Sequence, residues 1–385
     1  MENLKSNLIQ HMEALCLKCG SRHNGSEGER MAVDYMVDYL SGLGLPVVCE
    51  EYPSRGWNFE SFEFYNVTKG EPIAKGSACF FSGSVDWEGK LMFIEASQVD
   101  NLADLPVAGQ VCFIKYIHGV FTHNRIAQEL ENLGAAAVII VSPGLGADTK
   151  VVRNYRLQRI AVATTDARGA YQILDNPNDT YRLKIKANAF DYISKNVIVR
   201  LGNGKKKGVI GSHYDTAPLV QGATDNASGV ATVMELARLM KDADLDMTLD
   251  FAAFSGEEYL VEYPDYKEPA GSGAYLKRHG KEDIRWFLNN DGAGDNFSRR
   301  IMRTGYPEKL PPIEHNFPAE DHALDGGDNV PFSRVGIPSV WQIYAQYLPV
   351  LHTSMDSLDH IDYDLLTEAT VNAYDILQQL IEGTI

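Results

Sequence analysis

The chain has 385 residues, of which 44% are hydrophobic and 10% aromatic, the composition of an ordinary soluble globular protein. This length exceeds what one hydrophobic core usually serves, so we expect two domains or one domain with a large insertion. The formal net charge of −17 argues against a nucleic-acid partner, because binding to a phosphate backbone requires basic surface patches.

The N-terminal region is predicted to form a helix from about residue 2 to 19, a polar loop at 21–28 and a second helix from about 29 to 43. The first segment lacks the continuous apolar stretch and the cleavage site of a signal peptide. No apolar run approaches the length that crosses a bilayer, so we expect no membrane partner. Five cysteines, an odd number, are most simply reduced thiols in a cytoplasmic protein.

Residues 69–189 differ in sequence pattern from the rest of the chain. Short strand-like runs at 109–116, 134–141 and 160–165 are separated by turn residues, with one predicted helix at 126–133. None of these runs carries a dense set of ionisable side chains. We therefore predict a small β-rich domain inserted into the rest of the chain.

Polar side chains then follow short apolar runs that are predicted to be buried strands. His213 and Asp215 follow the run at 209–210, and Asp225 lies in a loop of small residues just before a helix predicted at 229–240. A histidine ligand usually needs a carboxylate on its other ring nitrogen, so we interpret His213 as a metal ligand and Asp215 as the residue that orients it. Asp225 considered alone could equally be the N-cap of the helix.

Further carboxylates and a histidine follow the later strands. Glu257 and Glu258 come after the strand predicted at 249–254, and two adjacent carboxylates repel unless a cation or a proton compensates. One of them can bind metal while the other accepts a proton from water. Asp291 ends another apolar strand, and His352 follows the next. Two histidines and three carboxylates at strand ends are the number expected for two cations that share one carboxylate.

Five motifs in this order resemble those of the zinc-dependent exopeptidases related to aminopeptidase Y and bacterial leucyl aminopeptidase. They are H-Y-D at 213–215, G-A-T-D-N-A-S-G-V-A at 222–231, G-E-E at 256–258, N-N-D-G at 289–292 and H-T-x-x-D at 352–356. The resemblance covers about the first 65 residues and everything from Lys195 onward.

The resemblance implies hydrolysis of peptide bonds by water that is activated between two zinc ions. Asp225 would bridge the ions, with a cis peptide bond between it and Asn226. Glu257 would be the general base, and Asp215 would orient His213. The remaining ligands would be His213 and Asp291 for one ion, and Glu258 and His352 for the other. Two zinc ions per chain are expected, although cobalt or manganese would also bind such a site.

The inserted region resembles the protease-associated domain that occurs at the same place in several of these peptidases. Such a domain would overhang the metal site and limit which substrates enter. For substrate binding the candidates are Asp328, which is followed by Asn329 where relatives commonly have histidine, and two tyrosines near the last ligand. Tyr344 or Tyr347 could donate a hydrogen bond to the developing oxyanion.

We therefore predict an α/β fold in which a mixed, largely parallel sheet is flanked by helices. It comprises residues 1–68 and 190–385, with 69–189 inserted. The favoured function is an aminopeptidase acting on peptide or aminoacyl substrates, with oligomerisation left open. A carboxypeptidase, a dipeptidase or an aminoacylase on the same site is an alternative, as is a non-catalytic binding protein. A carboxypeptidase would need a cationic pocket, for which the candidates are Arg299, Arg300, Arg303 and Arg334.

Overall fold

The computed structural model describes every residue of the chain except 75, 116–119, 142–158, 264–265, 297–298, 316–317, 322–325, 346–350 and 385. Of the predicted substrate-binding residues, Tyr347 lies outside the described residues, and so does the side chain of Tyr344. No helix within the described ranges combines the length and the apolar character that a membrane-spanning segment needs.

Helices and strands are numbered in chain order. The helices are α1 (Leu4–Glu13), α2 (Glu27–Gly42), α3 (Val120–Asn132), α4 (Ala167–Leu174), α5 (Ser228–Met240), α6 (Ala270–His279), α7 (Asn329–Arg334) and α8 (Tyr363–Glu382). The strands are β1 (Val47–Asn66), β2 (Glu71–Pro72), β3 (Gly76–Ala78), β4 (Val85–Gly89), β5 (Met92–Ile94), β6 (Val111–Ile114), β7 (Ala137–Val141), β8 (Ala161–Thr165), β9 (Tyr181–Leu201), β10 (Lys207–His213), β11 (Thr248–Phe254), β12 (Leu260–Tyr263), β13 (Tyr266–Pro269), β14 (Ile284–Asp291), β15 (Arg299–Gly305), β16 (Ala319–Asp321) and β17 (Ser339–Ala345).

Several helices begin at side chains that accept hydrogen bonds from the first free backbone amides. The side chain of Ser26 accepts from the amide of Glu29 at the start of α2, and Asp166 caps α4 in the same way. Asp362 accepts from two amides at the start of α8. Such caps are worth about 0.5–2 kcal/mol each, which helps to explain why these helices begin where they do.

The contacts divide the chain into two units. Unit 1 comprises Met1–Arg55 and Tyr192–Ile385, and unit 2 comprises Gly56–Asp191. The sequence placed these boundaries at residues 68 and 190, so the first boundary lies earlier in the structure. Residues 56–68 lie in unit 2 because side chains such as Trp57 pack there. Its indole nitrogen donates to the carbonyl of Ser82 at 3.0 Å, and its ring contacts Phe80 edge-on.

Unit 1 is built on one sheet in which the strands follow the order β16-β15-β17-β14-β10-β11-β9-β1. Strands β17, β14, β10 and β11 are parallel neighbours, while β9 and β15 pair antiparallel with β11 and β17. Side chains alternate between the two faces, so Ile210 belongs to the core cluster that includes residues of α1, α2, α5 and α8, and Val209 belongs to the cluster that includes residues of α6 and α7. This arrangement confirms the predicted mixed, largely parallel sheet flanked by helices.

Unit 2 contains a second sheet of order β3-β8-β7-β6-β5. Strands β5 to β8 are mutually parallel, and β3 pairs antiparallel with β8. Strand β4 pairs antiparallel with the first residues of β9. The apolar core of this unit includes Ile126 and Leu130 of α3 and Val138 of β7. The predicted strands of the insertion are therefore present, and α3 and α4 accompany them.

Candidate metal centre

The candidate site lies where four neighbouring parallel strands of unit 1 end. Strand β10 ends at His213 and β14 at Asp291, while Glu258 follows β11 and His352 follows β17. The carboxyl ends of parallel strands meet at one edge of a sheet, which brings together residues that are far apart in sequence. Asp225 lies in the short turn that leads into α5.

Two groups of three side chains meet at this edge. The first trio is His213, Asp225 and Asp291, and the second trio is Asp225, Glu258 and His352. Nε2 of His213 lies 3.0 Å from Oδ1 of Asp225 and 3.5 Å from Oδ1 of Asp291. Nε2 of His352 lies 3.2 Å from Oδ2 of Asp225 and 3.0 Å from Oε1 of Glu258. Asp225 thus presents one carboxylate oxygen to each trio.

All five side chains of the two trios are buried, and their charges interact strongly. Burial opposes ionisation of Asp225, but the imidazoles of His213 and His352 hold the pKa of its carboxyl well below its usual range. Burial raises the pKa of Asp291, and the neighbouring carboxylates Asp225 and Glu258 also raise it. Three carboxylates this close together repel one another, so the arrangement calls for added positive charge.

The donor atoms of both trios fit zinc. Imidazole nitrogen and carboxylate oxygen are ordinary zinc ligands, and three protein ligands leave a position open for water or substrate. In the described part of the chain, Nε2 of His213 and Oδ1 of Asp291 are buried and make no well-formed hydrogen bond. Buried polar atoms of this kind require a partner, and an ion in the first trio would provide one.

Asp215 contacts both His213 and the two adjacent glutamates. Its carboxylate oxygens accept from the backbone amides of Glu257 at 3.1 Å and Glu258 at 3.0 Å. Nδ1 of His213 lies 3.1 Å from the backbone oxygen of Asp215 and 3.6 Å from its carboxylate. A carbonyl oxygen can only accept, so Nδ1 donates to it, and Nε2 is the ring nitrogen that could bind an ion in the first trio.

The turn that carries Asp225 is fixed by the side chain of Asn226. The peptide bond between these two residues is cis, which confirms the expectation drawn from the resemblance. Oδ1 of Asn226 accepts from the amides of Gly229 at 3.0 Å and Gly292 at 3.1 Å, and Nδ2 donates to the carbonyl of Asn290 at 3.1 Å. One side chain thereby joins the turn to α5 and to the end of β14.

Asp356 supports the same turn, and the sequence alone did not assign it a role. Its carboxylate accepts from the amides of Thr224 at 2.6 Å and Asp225 at 3.1 Å. Burial raises the pKa of Asp356 to about 7, and the nearby carboxylate of Asp225 adds to the shift. Its position four residues after His352 in the H-T-x-x-D motif was the only signal in the sequence.

The three predicted substrate-binding residues are not tested by this geometry. Asp328 is fully buried at the start of α7, and within the described residues its carboxylate makes no hydrogen bond. Burial raises the pKa of Asp328 to about 7, against the opposing effect of His213. Its role in substrate binding stays a prediction, as do those of Tyr344 and Tyr347.

The chain is similar in sequence and in fold to several known proteins. The sequence profile of Peptidase family M28 matches residues 196–377. The probable lipoprotein aminopeptidase LpqL of Mycobacterium tuberculosis is 25% identical over 89% of this chain and 77% of its own length. Aminopeptidase YwaD of Bacillus subtilis is 26% identical over 71% of this chain and 62% of its own length. A zinc aminopeptidase from Bacillus subtilis has a similar fold, with a TM-score of 0.79 at 20% identity, covering 97% of this chain and 94% of that chain.

Proposed function

We propose that this chain is an aminopeptidase that depends on two zinc ions held by the two trios, because the profile of Peptidase family M28 matches residues 196–377. The family and the aminopeptidase relatives make the chain a metal-dependent hydrolase, which confirms the resemblance drawn from the five motifs. The number of ions, the ligand set and the general base belong to the proposal.

The position of Asp225 is the observation that carries this proposal. One of its carboxylate oxygens lies 3.0 Å from Nε2 of His213 and the other 3.2 Å from Nε2 of His352. A carboxylate that binds one ion, or that only caps a helix, does not need to place its two oxygens next to two different buried histidines. Zinc is favoured by the donor types, with cobalt or manganese as alternatives.

The protein residues transfer the proton and hold the reacting groups in position. When bound, the ions supply Lewis acidity for the scissile carbonyl and lower the pKa of water. Glu257 accepts the proton of the attacking water on its carboxylate and returns it to the leaving amine. Asp215 holds the backbone of Glu257 and Glu258 in place through its two carboxylate oxygens. Nδ1 of His213 contacts the backbone oxygen of Asp215, which orients Nε2 of this histidine toward the first trio.

Two observations favour aminopeptidase over carboxypeptidase action. The names of the related proteins in Mycobacterium tuberculosis and Bacillus subtilis refer to aminopeptidases. Of the arginines considered for a carboxylate pocket, Arg334 pairs with Glu268 at 2.7 Å, and Arg303 lies over the ring of Trp341. The side chains of Arg299 and Arg300 lie outside the described residues.

Hydrolysis of matched substrates tests the proposed activity. We expect cleavage of aminoacyl p-nitroanilides, loss of cleavage when the substrate amine is acetylated, and loss with a chelator. Glu257→Gln should keep zinc and lower kcat by about 10²–10⁴-fold, because the general base is removed. Glu50→Gln is the control, because Glu50 is a mostly buried carboxylate of β1 that pairs with His279 of α6 at 2.8 Å.

Other results of these assays would support a different function. Cleavage restricted to acetylated or C-terminal substrates would replace the aminopeptidase with an aminoacylase or a carboxypeptidase. Near wild-type turnover by Glu257→Gln would remove Glu257 from the base role. A chain that takes up no added zinc and cleaves nothing would be a binding protein.

Two expectations about the rest of the chain also remain proposals. If the insertion predicted at residues 69–189 acts as a protease-associated domain, replacing the whole of unit 2, Gly56–Asp191, with a short linker should widen the substrate range and leave zinc affinity unchanged. Unchanged selectivity would count against this role. Cytoplasmic location is to be tested by fractionation of the producing cells, and recovery outside the cytoplasm would contradict it.

A further inference from the structure

Arg22 is a fully buried arginine whose guanidinium lies against five backbone carbonyls. No carboxylate pairs with it in the described part of the chain. Its Nε donates to the carbonyl of Tyr214 at 2.7 Å, and Nη2 to that of Gly222 at 2.9 Å. Nη1 lies within hydrogen-bonding distance of the carbonyls of Leu15, Gly20 and Gln221, at 2.9, 3.1 and 2.8 Å.

These carbonyls include both ends of the segment that separates two proposed ligands. Tyr214 directly follows His213, and Gly222 lies three residues before Asp225. The backbone amide of Arg22 also donates to Oγ1 of Thr216 within this segment, at 2.9 Å. A single side chain and its own backbone therefore fix the start and the end of the connection between a terminal ligand and the shared carboxylate.

The backbone amides of the same turn are bound by an acidic side chain. Asp356 accepts from the amides of Thr224 and Asp225, which follow the carbonyl of Gly222 after one intervening residue. Oε1 of Gln221 accepts from the amide of Leu358 at 3.1 Å, which ties the turn to the segment that follows His352. The buried guanidinium of Arg22 on the carbonyls and the buried carboxyl group of Asp356 on the amides thus hold the turn from both sides.

We propose that Arg22 is a positioning residue for Asp225, and that it sets the affinity of both trios for zinc by fixing the turn that carries the shared carboxylate. This inference rests on the proposed function. Arginine suits the task because its planar fork presents five N–H groups in fixed directions, whereas lysine offers three on a flexible stem. Any displacement of the turn moves Asp225, the side chain that both ions would share.

Zinc affinity of Arg22 variants provides a readout that is independent of turnover. Zinc-free protein would be titrated with zinc against a competing indicator, with the fold monitored by circular dichroism. Arg22→Met keeps the stem and removes the charge and donors, and we expect affinity for both ions to fall by about 10–100-fold, as is typical when the support of a ligand is lost. Arg22→Lys keeps the charge and should lie between wild type and Arg22→Met.

Arg238→Met is the matched control. Arg238 is also largely buried, but its guanidinium pairs with Glu235 on the same helix at 2.8 Å. We expect this control to lower the melting temperature of the zinc-free protein without changing zinc affinity. If Arg22→Met does not fold, Arg22→Lys decides, since weaker zinc binding with an intact fold supports the inference.

Three results would overturn the inference. If folded Arg22→Met binds zinc as tightly as wild type, Arg22 has a purely structural role. The same conclusion follows from wild-type zinc affinity in Arg22→Lys when Arg22→Met does not fold. An equal loss of affinity in Arg238→Met would attribute the effect to general destabilisation. Absence of zinc binding in the wild-type chain would refute the proposed function and this inference together, whereas an active, two-zinc wild type with unaffected Arg22 variants would refute only this inference.

Discussion

Replacing Asp215 with asparagine perturbs the carboxylate that links His213 to the two glutamates. In the wild-type chain each oxygen accepts one buried amide, from Glu257 at 3.1 Å and from Glu258 at 3.0 Å. Asparagine has a single acceptor oxygen and places an NH₂ group at the other position. One of the two amides therefore loses its acceptor, and the backbone of the proposed base or of a proposed ligand must move.

The expected magnitude follows from this loss of one acceptor. Leaving a buried amide without a partner costs about 1–3 kcal/mol, so the free energy of unfolding of the zinc-free protein should fall by that amount. Displacing Glu257 and Glu258 should also lower kcat or zinc affinity by about 10–100-fold. The second effect corresponds to about 1.4–2.7 kcal/mol, so the two effects are of similar size and must be measured separately.

Urea unfolding of the zinc-free protein gives the first quantity, and kcat per folded, zinc-saturated molecule gives the second. Asp250→Asn is the control, because Asp250 is equally buried and accepts from Arg200 at 2.6 Å and from Tyr275 at 2.6 Å. We expect both variants to lose stability and only Asp215→Asn to lose kcat or zinc affinity. Wild-type kcat and zinc affinity in Asp215→Asn would refute the positioning role of this carboxylate.

Two further predictions concern other parts of unit 1. Burial opposes ionisation of Glu235, but bonds from His11 and Arg238 lower its pKa from 4.5 to about 2. Because the folded pKa lies below the unfolded value, this contribution, about 3 kcal/mol, is fully present above pH 4.5 and is lost as the pH falls towards 2. The stability difference between wild type and Glu235→Gln in urea should therefore shrink between pH 6 and pH 3.5, and a constant difference would contradict the assignment. Gly222→Ala should lower both stability and zinc uptake, because φ is +57° and a Cβ there would lie 2.3 Å from Cγ2 of Thr216. Unchanged uptake measured by metal analysis would show that the turn tolerates the clash.

The residues of the two trios could be predicted from the sequence because each lies next to a local signal. His213 and Asp291 end apolar strands, and Glu258 follows one across a glycine. Strand ends of a parallel sheet converge, so the pattern of apolar runs already implied that these side chains meet. The mixed sheet and its flanking helices followed from the same alternation of strands and helices.

The supporting residues could not be predicted because their partners are backbone atoms far away in the chain. Arg22 and Asp356 bind carbonyls and amides of one turn, and no periodic pattern of residue types records such a contact. For a similar reason, the first boundary of the insertion lies earlier in the structure than the sequence predicted. Strand β1 continues from Val47 to Asn66 without a break, so the change of unit at Arg55 leaves no turn signal in the sequence.

Metal analysis by plasma mass spectrometry tests the central claim most directly, on wild type and Asp225→Ala purified without chelator and resupplied with zinc. The shared carboxylate predicts two zinc ions per wild-type chain and loss of both in Asp225→Ala, because each trio loses a ligand at once. One ion per wild-type chain, or two ions retained by Asp225→Ala, would contradict a centre in which Asp225 serves both metals.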